Sequence, residues 1–355
     1  MMGMKDNISE IGKLQFTDRI ADLKEKMFEE PRYLSLEQAL LITKCYKENE
    51  DLPRILQRAK SLALALGEIS IKIDPQELIV GNRTIGVRGG VVSPEAGISW
   101  VANEIETLPT RPQDVFNVRE EDIRDFREIV LPYWEGKSLE DLVKKEIGEE
   151  MSAMGKAVKI NQTDHAQGHI CPNTPKWLRM GPAGLKKEAE EELKTAPEDK
   201  RVFYESVIIV LSAAQDFMRR YGRLALDMKE EAEDEILKTN LSKISKICFD
   251  LAERPPQTFH EAVQSFWFLY TILQMESNAS SFSPGRADQY LYPYFKKDME
   301  EGRITLQDSL EIIEALWLKF NQIVYMRSSN SAKYFAGFPI GFNVAIGGQS
   351  EDGKD

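Results

Sequence analysis

The amino-acid sequence predicts a predominantly helical α/β protein, and three features carry that reading. Apolar residues recur three and four apart through most of the chain, as on the buried face of a helix. Two stretches change to the two-residue period of a strand: Ile69, Ile71 and Ile73, and then Phe338, Ile340, Phe342, Val344 and Ile346. Between the periodic segments, glycines and prolines cluster where turns are needed.

Taken in order, Ser35 and Gln38 form a Ser-x-x-Gln capping pattern, with Leu36, Leu40 and Thr43 following at helical spacing. The next helix runs from Pro53, suited to a first turn, to Gly67, suited to the position after the end. Ile55, Leu56, Ala59, Leu62, Ala63 and Leu66 mark its buried face. Beyond the Ile69–Ile73 alternation, Glu77–Val80 adds a short strand-like run. Gly81, Gly86, Gly89, Gly90 and Pro94 make residues 81–98 an extended, turn-rich loop, and Pro109-Thr-Arg-Pro112 is another. Charged helices return over 119–150, broken at Pro132, and 161–185 is the least regular stretch.

Two long helices follow near 200–230 and 232–252, ended by Pro255-Pro256. Thr258 and Glu261 make a capping box for an apolar helix to about Gln274. Residues 276–286 form a small-residue loop. Thr305 to Asn321 is amphipathic, with Leu306, Leu310, Ile313, Leu316, Trp317 and Phe320 inward, and Tyr334–Gly348 reads as a buried strand.

Composition narrows the function. A net charge of −12 over 355 residues repels phosphate backbones and anionic lipid, so neither nucleic acid nor membrane is expected as a partner. The longest apolar runs, Val207–Leu211 and Phe266–Leu273, suit buried helices rather than a membrane span of about 18 residues. Met1 to Lys13 lacks the apolar core of a signal peptide. Three widely spaced cysteines, Cys45, Cys171 and Cys248, predict no disulfide framework and a reducing, cytoplasmic location.

Several clusters invite chemistry. His165, His169 and Cys171 lie within seven residues, but Gly168 and Pro172 disfavour a helix that would align them. No second Cys/His group completes a tetrahedron, so no metal is expected. Glu276-Ser-Asn-Ala-Ser-Ser-Phe-Ser-Pro-Gly-Arg286 follows an apolar helix and offers donors and acceptors to a small polar ligand. Arg286 and Asp288 suit a structural anchor. The glycines of Val87-Arg-Gly-Gly90 suit a loop needing positive φ. Phosphate-loop, dinucleotide and nucleophile-elbow motifs do not occur.

An ordered series of motifs runs along the chain: Asp74-Pro-Gln-Glu-Leu-Ile-Val-Gly-Asn82, Gln167-Gly-His-Ile170, Pro256-Gln-Thr-Phe259 and Gln264-x-Phe-Trp-Phe268. It continues through Glu276-Ser-Asn278, Ser283-Pro-Gly-Arg-x-Asp-Gln-Tyr290, Tyr292-Pro-Tyr294, Trp317-x-Lys-x-Asn321 and Gly347-Gly348. The series resembles the pyruvate formate-lyase-like glycyl radical enzymes, in particular the dehydratase branch that acts on glycerol or hydroxyproline. The resemblance implies one domain over 1–355, the amino-terminal portion of a ten-stranded α/β barrel made of two half-barrels, and so an incomplete barrel.

In that family a glycyl radical, installed by a radical SAM activating enzyme, generates a cysteine thiyl radical that abstracts hydrogen from a small substrate. The catalytic Gly-Cys-x-Glu and radical Arg-Val-x-Gly-[Tyr/Phe] loops belong to the carboxy-terminal half and do not occur here. No catalytic residue and no bound cofactor are therefore expected in these 355 residues. The expectation is a substrate-binding part, truncated or split, inactive alone, of a radical dehydratase or lyase of anaerobic metabolism. It would work with a carboxy-terminal half, the activating enzyme and, when intact, a second copy as homodimer. His169 matches the histidine that contacts substrate hydroxyls in the glycerol-dehydrating members; Ser280 and Ser281 match their His-Ser pair, with Ser280 replacing the histidine. That replacement argues against glycerol and for a larger or differently charged substrate. A non-catalytic scaffold and a pyruvate formate-lyase activity are the competing readings.

Overall fold

A computed structural model of the chain describes residues 12–154, 169–279, 281–335, 341–349 and 353. Helix α1 (Asp18–Glu29) leads to β1 (Leu34–Ser35), α2 (Glu37–Glu48) and α3 (Arg54–Glu68). After β2 (Gly90–Val91) come α4 (Ser99–Glu104), α5 (Glu120–Asp125), a π-helical turn (Phe126–Val130), α6 (Leu131–Trp134) and α7 (Leu139–Met154). The remainder is β3 (His169–Ile170), α8 (Thr174–Thr195), α9 (Glu198–Glu231), α10 (Glu235–Glu253), α11 (Phe259–Ser277), β4 (Ser281–Phe282), α12 (Ala287–Glu300), α13 (Leu306–Gln322) and α14 (Ser329–Phe335). The described part is thus predominantly helical.

Each long helix follows from its sequence. On α9, Ala213, Ala214, Phe217, Met218, Tyr221 and Ala225 form one buried stripe that packs against α3, α8 and α10. Asp234 caps α10, its side chain accepting from the Ile236 N–H at 2.9 Å, and the helix stops before Pro255-Pro256. Thr305 and Asp308 form a reciprocal capping box at the start of α13. α11 is buried almost all round, from Phe259 to Met275, and forms the centre of the larger core.

The strands are short and parallel. β1 pairs with β2, Leu34 opposite Gly90 and Ser35 opposite Val91, and Tyr33 bridges to Asn117 on the other side. β3 pairs with β4, and Gly285 bridges to Val344. Two clusters of three parallel extended segments therefore lie among the helices.

The structure departs from the sequence expectations at defined places. Ser35 does not cap α2; it is a strand residue, and the Gln38 side chain reaches across to donate to the Met275 carbonyl at 2.7 Å. Gly67 lies inside α3, which ends at Glu68. The helical path runs through Pro132, which sits in the first turn of α6 after the π turn. Half of the box at Thr258 forms: its hydroxyl accepts from the Glu261 N–H, but the Glu261 carboxylate accepts instead from Arg254 and the Gln257 N–H. Trp317 is exposed rather than inward, and Val207–Leu211 are only half-buried. The expected strand over 334–348 is helical up to Phe335, and of the described remainder only Val344 bridges.

The largest departure concerns 69–81. Ile69, Ile73 and Leu78–Val80 are buried, but among the described residues no strand pairs with them. Buried backbone groups need partners, and here side chains from helices supply them. Along one face of α11, His260 Nε2 donates to Leu78 O at 2.7 Å and Trp267 Nε1 donates to Gly81 O at 2.9 Å. Between them Gln264 accepts from Val80 N at 2.8 Å and donates to Val80 O at 2.7 Å. Asn240 donates to Glu77 O at 2.9 Å, and Lys319 pairs with the Glu77 carboxylate at 2.5 Å. α11 thus serves this segment as a neighbouring strand would.

Candidate functional site

The site is built where α11 ends. Asn278 adopts the left-handed conformation (φ 43°) that terminates the helix, its N–H bonding Gln274 O at 2.9 Å. Four groups hold this root. Gln38 bonds Met275 O, the Arg58 guanidinium pairs with the Glu276 carboxylate, Arg83 donates to Asn278 Oδ1 at 2.6 Å, and Asn278 Nδ2 donates to Val91 O at 3.5 Å.

Three residues on, β4 runs in register with β3, His169 opposite Ser281 and Ile170 opposite Phe282. Ser283 N donates to Ile170 O at 2.8 Å and extends the pairing. On the opposite edge, Gly285 N donates to Asn343 O at 3.1 Å and Ala345 N to Gly285 O at 2.8 Å. Asp288 accepts from Gly347 N at 2.8 Å while Arg286 donates to Gly347 O at 3.3 Å, so both anchor this third segment.

Alternation along a strand divides the faces. Phe282 enters the core, leaving Ser281 and Ser283 on the other side, with His169 beside Ser281 and exposed. Cys171 stands over Gly285: a Cβ added there would lie 2.5 Å from its Sγ, and φ is +68°. The structure therefore brings His169 and Ser281 together. Ser280 and His165 lie outside the described residues. Among the described residues, no group of three or more His, Cys, Asp or Glu could hold a metal, and no helix is long and apolar enough to cross a membrane.

The glycines of Val87-Arg-Gly-Gly90 serve close approach rather than positive φ. Neither Gly89 nor Gly90 has positive φ, and a Cβ on Gly90 would lie 2.9 Å from Met326 Sδ and 3.0 Å from the Phe116 ring.

Sequence reasoning passed over the buried polar residues behind the site. Arg83 is buried, and among the described residues no carboxylate pairs with it; burial pulls its guanidinium down to about 10. Burial pushes the Glu95 carboxyl up to about 7, with Glu276 adding to the shift and Arg58 opposing it. The only sequence signal for Arg83 is its place directly after the Asp74–Asn82 motif.

Cys45 and Cys248 are buried, and desolvation pushes both thiols up. None of the three cysteines has glutamate two residues on.

Among the described residues, short parallel strand pairs are set among long helices, with polar side chains gathered at the end of a buried helix. Residues 14–355 match the pyruvate formate lyase-like family model, and the chain belongs to that family. A probable dehydratase of Escherichia coli, YbiW, is 34% identical over 324 residues, 88% of this chain and 40% of that protein. The (2S)-3-sulfopropanediol dehydratase of Klebsiella oxytoca is 33% identical over 354 residues, 95% and 42% respectively. The glycerol-bound B12-independent glycerol dehydratase of Clostridium butyricum superposes with a TM-score of 0.91 at 35% identity, over 96% of this chain and 44% of that one. The chain thus spans about two-fifths of the length of the relatives it matches.

Proposed function

We propose that this chain is the substrate-binding amino-terminal part of a glycyl radical dehydratase or lyase that eliminates water or another β-leaving group from a small polar substrate. The in-register placement of His169 beside Ser281, in a chain of this family, is the observation that carries the reading. An imidazole N–H and a hydroxyl side by side can donate to one leaving oxygen and stabilise the charge it gains as the bond breaks. Ser280 stands where the glycerol-dehydrating members carry histidine, and serine's smaller side chain suits a substrate larger or more charged than glycerol; the similarity to a sulfopropanediol dehydratase agrees with a charged one.

The 355 residues contain neither the Gly-Cys-x-Glu nor the Arg-Val-x-Gly loop, so the radical step falls to residues outside them. The partners we propose are a carboxy-terminal half-barrel carrying those loops, a radical SAM activating enzyme and, in the assembled enzyme, a second copy, all in an anaerobic cytoplasm.

The test is anaerobic reconstitution of the chain with such a half-barrel and activating enzyme, offering glycerol, 1,2-propanediol and 3-sulfopropanediol. The expected result is a glycyl radical signal and product formation, with His169→Ala keeping the signal and losing turnover at least a hundredfold. Full turnover by His169→Ala, or a radical formed on this chain alone, would sink the proposal.

A further inference from the structure

Behind the root of the β4 loop lies a cavity of 10 Å³ lined by Gln38, Tyr46, Arg58, Glu95, Met275 and Glu276. Its size suits a single water-sized group. Among the described residues, two oxygen atoms on residues that line it have no partner: Gln38 Oε1, on a residue 2% exposed, and Glu95 Oε2. Gln38 cannot relieve this by turning over. Its amide nitrogen already donates to Met275 O, and the flipped amide would set two acceptors against each other. The missing proton must come from the other side.

We propose that Glu95, in its protonated form, is a positioning residue that holds the root of the β4 loop and so keeps Ser281 in register with His169. The neutral carboxyl donates to Gln38 Oε1, directly or through one water in the cavity, and leaves Arg58 to pair with Glu276 alone. On ionisation, the Glu95 carboxylate competes for Arg58 and repels Glu276, and the root loosens.

The charged and titratable groups facing Glu95 come from three helices: Tyr46 on α2, Arg58 on α3 and Glu276 on α11. Arg54 lies beyond Tyr46, its guanidinium 5.5 Å from the ring centre. Among the described residues that line the cavity, Arg58 is the cation beside Glu95; it is engaged by Glu276, and its opposition is outweighed by burial. Burial keeps the carboxyl protonated to about neutral pH. The positioning of the loop is independent of substrate identity; its importance for catalysis rests on the function proposed above.

Amide hydrogen exchange of the whole chain between pH 6 and 8, corrected for intrinsic base catalysis, tests this. Protection of the Ser283 and Gly285 amides, which bond Ile170 O and Asn343 O, is expected to fall about tenfold across that range in the wild type. Glu95→Gln, permanently neutral and able to donate to Gln38, should hold the low-pH level throughout. Glu95→Asp, a stronger and shorter acid, should move the loss to lower pH. A flat wild-type profile, a Glu95→Gln profile that still falls, or an unmoved Glu95→Asp midpoint would each overturn the assignment. Loss of turnover without loss of this pH response would count against the proposed function instead.

Discussion

The pairing of residues 77–81 with α11 makes a quantitative prediction at Gln264. Replacing it by Met keeps the length of the side chain and removes both of its hydrogen bonds. Val80 N and O, on a residue 0% exposed, would then have no partner. Each buried backbone group left unsatisfied costs about 1–3 kcal/mol, so the pair costs roughly 2–6 kcal/mol. Better burial of the thioether returns on the order of 1 kcal/mol. The expected net loss is about 1–5 kcal/mol, lowering the melting temperature of a chain of 355 residues by roughly 1–7 °C. Urea unfolding followed by circular dichroism measures it, with an unchanged m-value confirming that the same surface unfolds. A loss below about 0.5 kcal/mol, the range of an ordinary surface substitution, would refute the account of α11 as a surrogate strand.

Three further outcomes follow from buried groups. Lys319→Met leaves the Glu77 carboxylate buried without its ammonium partner and should cost about 3–5 kcal/mol, most of it recovered by adding Glu77→Leu; a double-mutant cycle measures both. His260 is buried and neutral, its value depressed from 6.5 to about 3 by burial first and Lys243 second. Its contribution is therefore complete above the unfolded value and is lost as pH falls from about 6.5 through about 3, some 5 kcal/mol at most. His260→Gln should flatten the stability profile over that window, and an unchanged acid limb would contradict the assignment. Gly285→Ala combines φ +68° with a Cβ 2.5 Å from Cys171 Sγ and should cost about 1–3 kcal/mol. Cys171→Ala should restore part of that, and no recovery in thermal melts would argue against the clash.

Local periodicity made α3, α10, α11 and α13 legible, because helix patterning and capping depend on residues three and four apart. It also marked 69–80 as extended and buried, but supplied the wrong partner. The hydrogen-bonding groups sit on a helix 184 residues further along, and no local pattern encodes that distance. At 334–348 the alternating apolar residues read as strand; Phe338 and Ile340 lie outside the described residues, and among the described ones a helix ends at Phe335 and Val344 bridges to Gly285. Alternation shows that one face can be buried; it does not show that a neighbouring strand exists. The adjacency of His169 and Ser281, 112 positions apart by their numbers, came from no period in the chain. Only the resemblance placed them in one site. Arg83, Glu77 and Lys319 were illegible for a different reason: charge predicts surface, and these three gain burial only through tertiary partners.

Those partners show how the fold and the site are joined. His260, Gln264 and Trp267 recur every three to four residues and secure 78–81; about two to three turns later the same helix delivers Met275, Glu276 and Asn278 to Gln38, Arg58 and Arg83. Because Gly81 and Arg83 are two residues apart, the segment fixed by the first half of α11 carries the cation that fixes its end. The helix is therefore clamped to one loop at two heights, and its rotation about its own axis is set by both. A substitution such as Gln264→Met should consequently weaken stability and also disturb the register of Ser281 against His169, although position 264 lies on the opposite side of four helical turns from the loop. Hydrogen exchange at Ser283 in that variant separates the two effects: protection lost there by more than the global destabilisation accounts for means that the clamp, and not the core alone, positions the site.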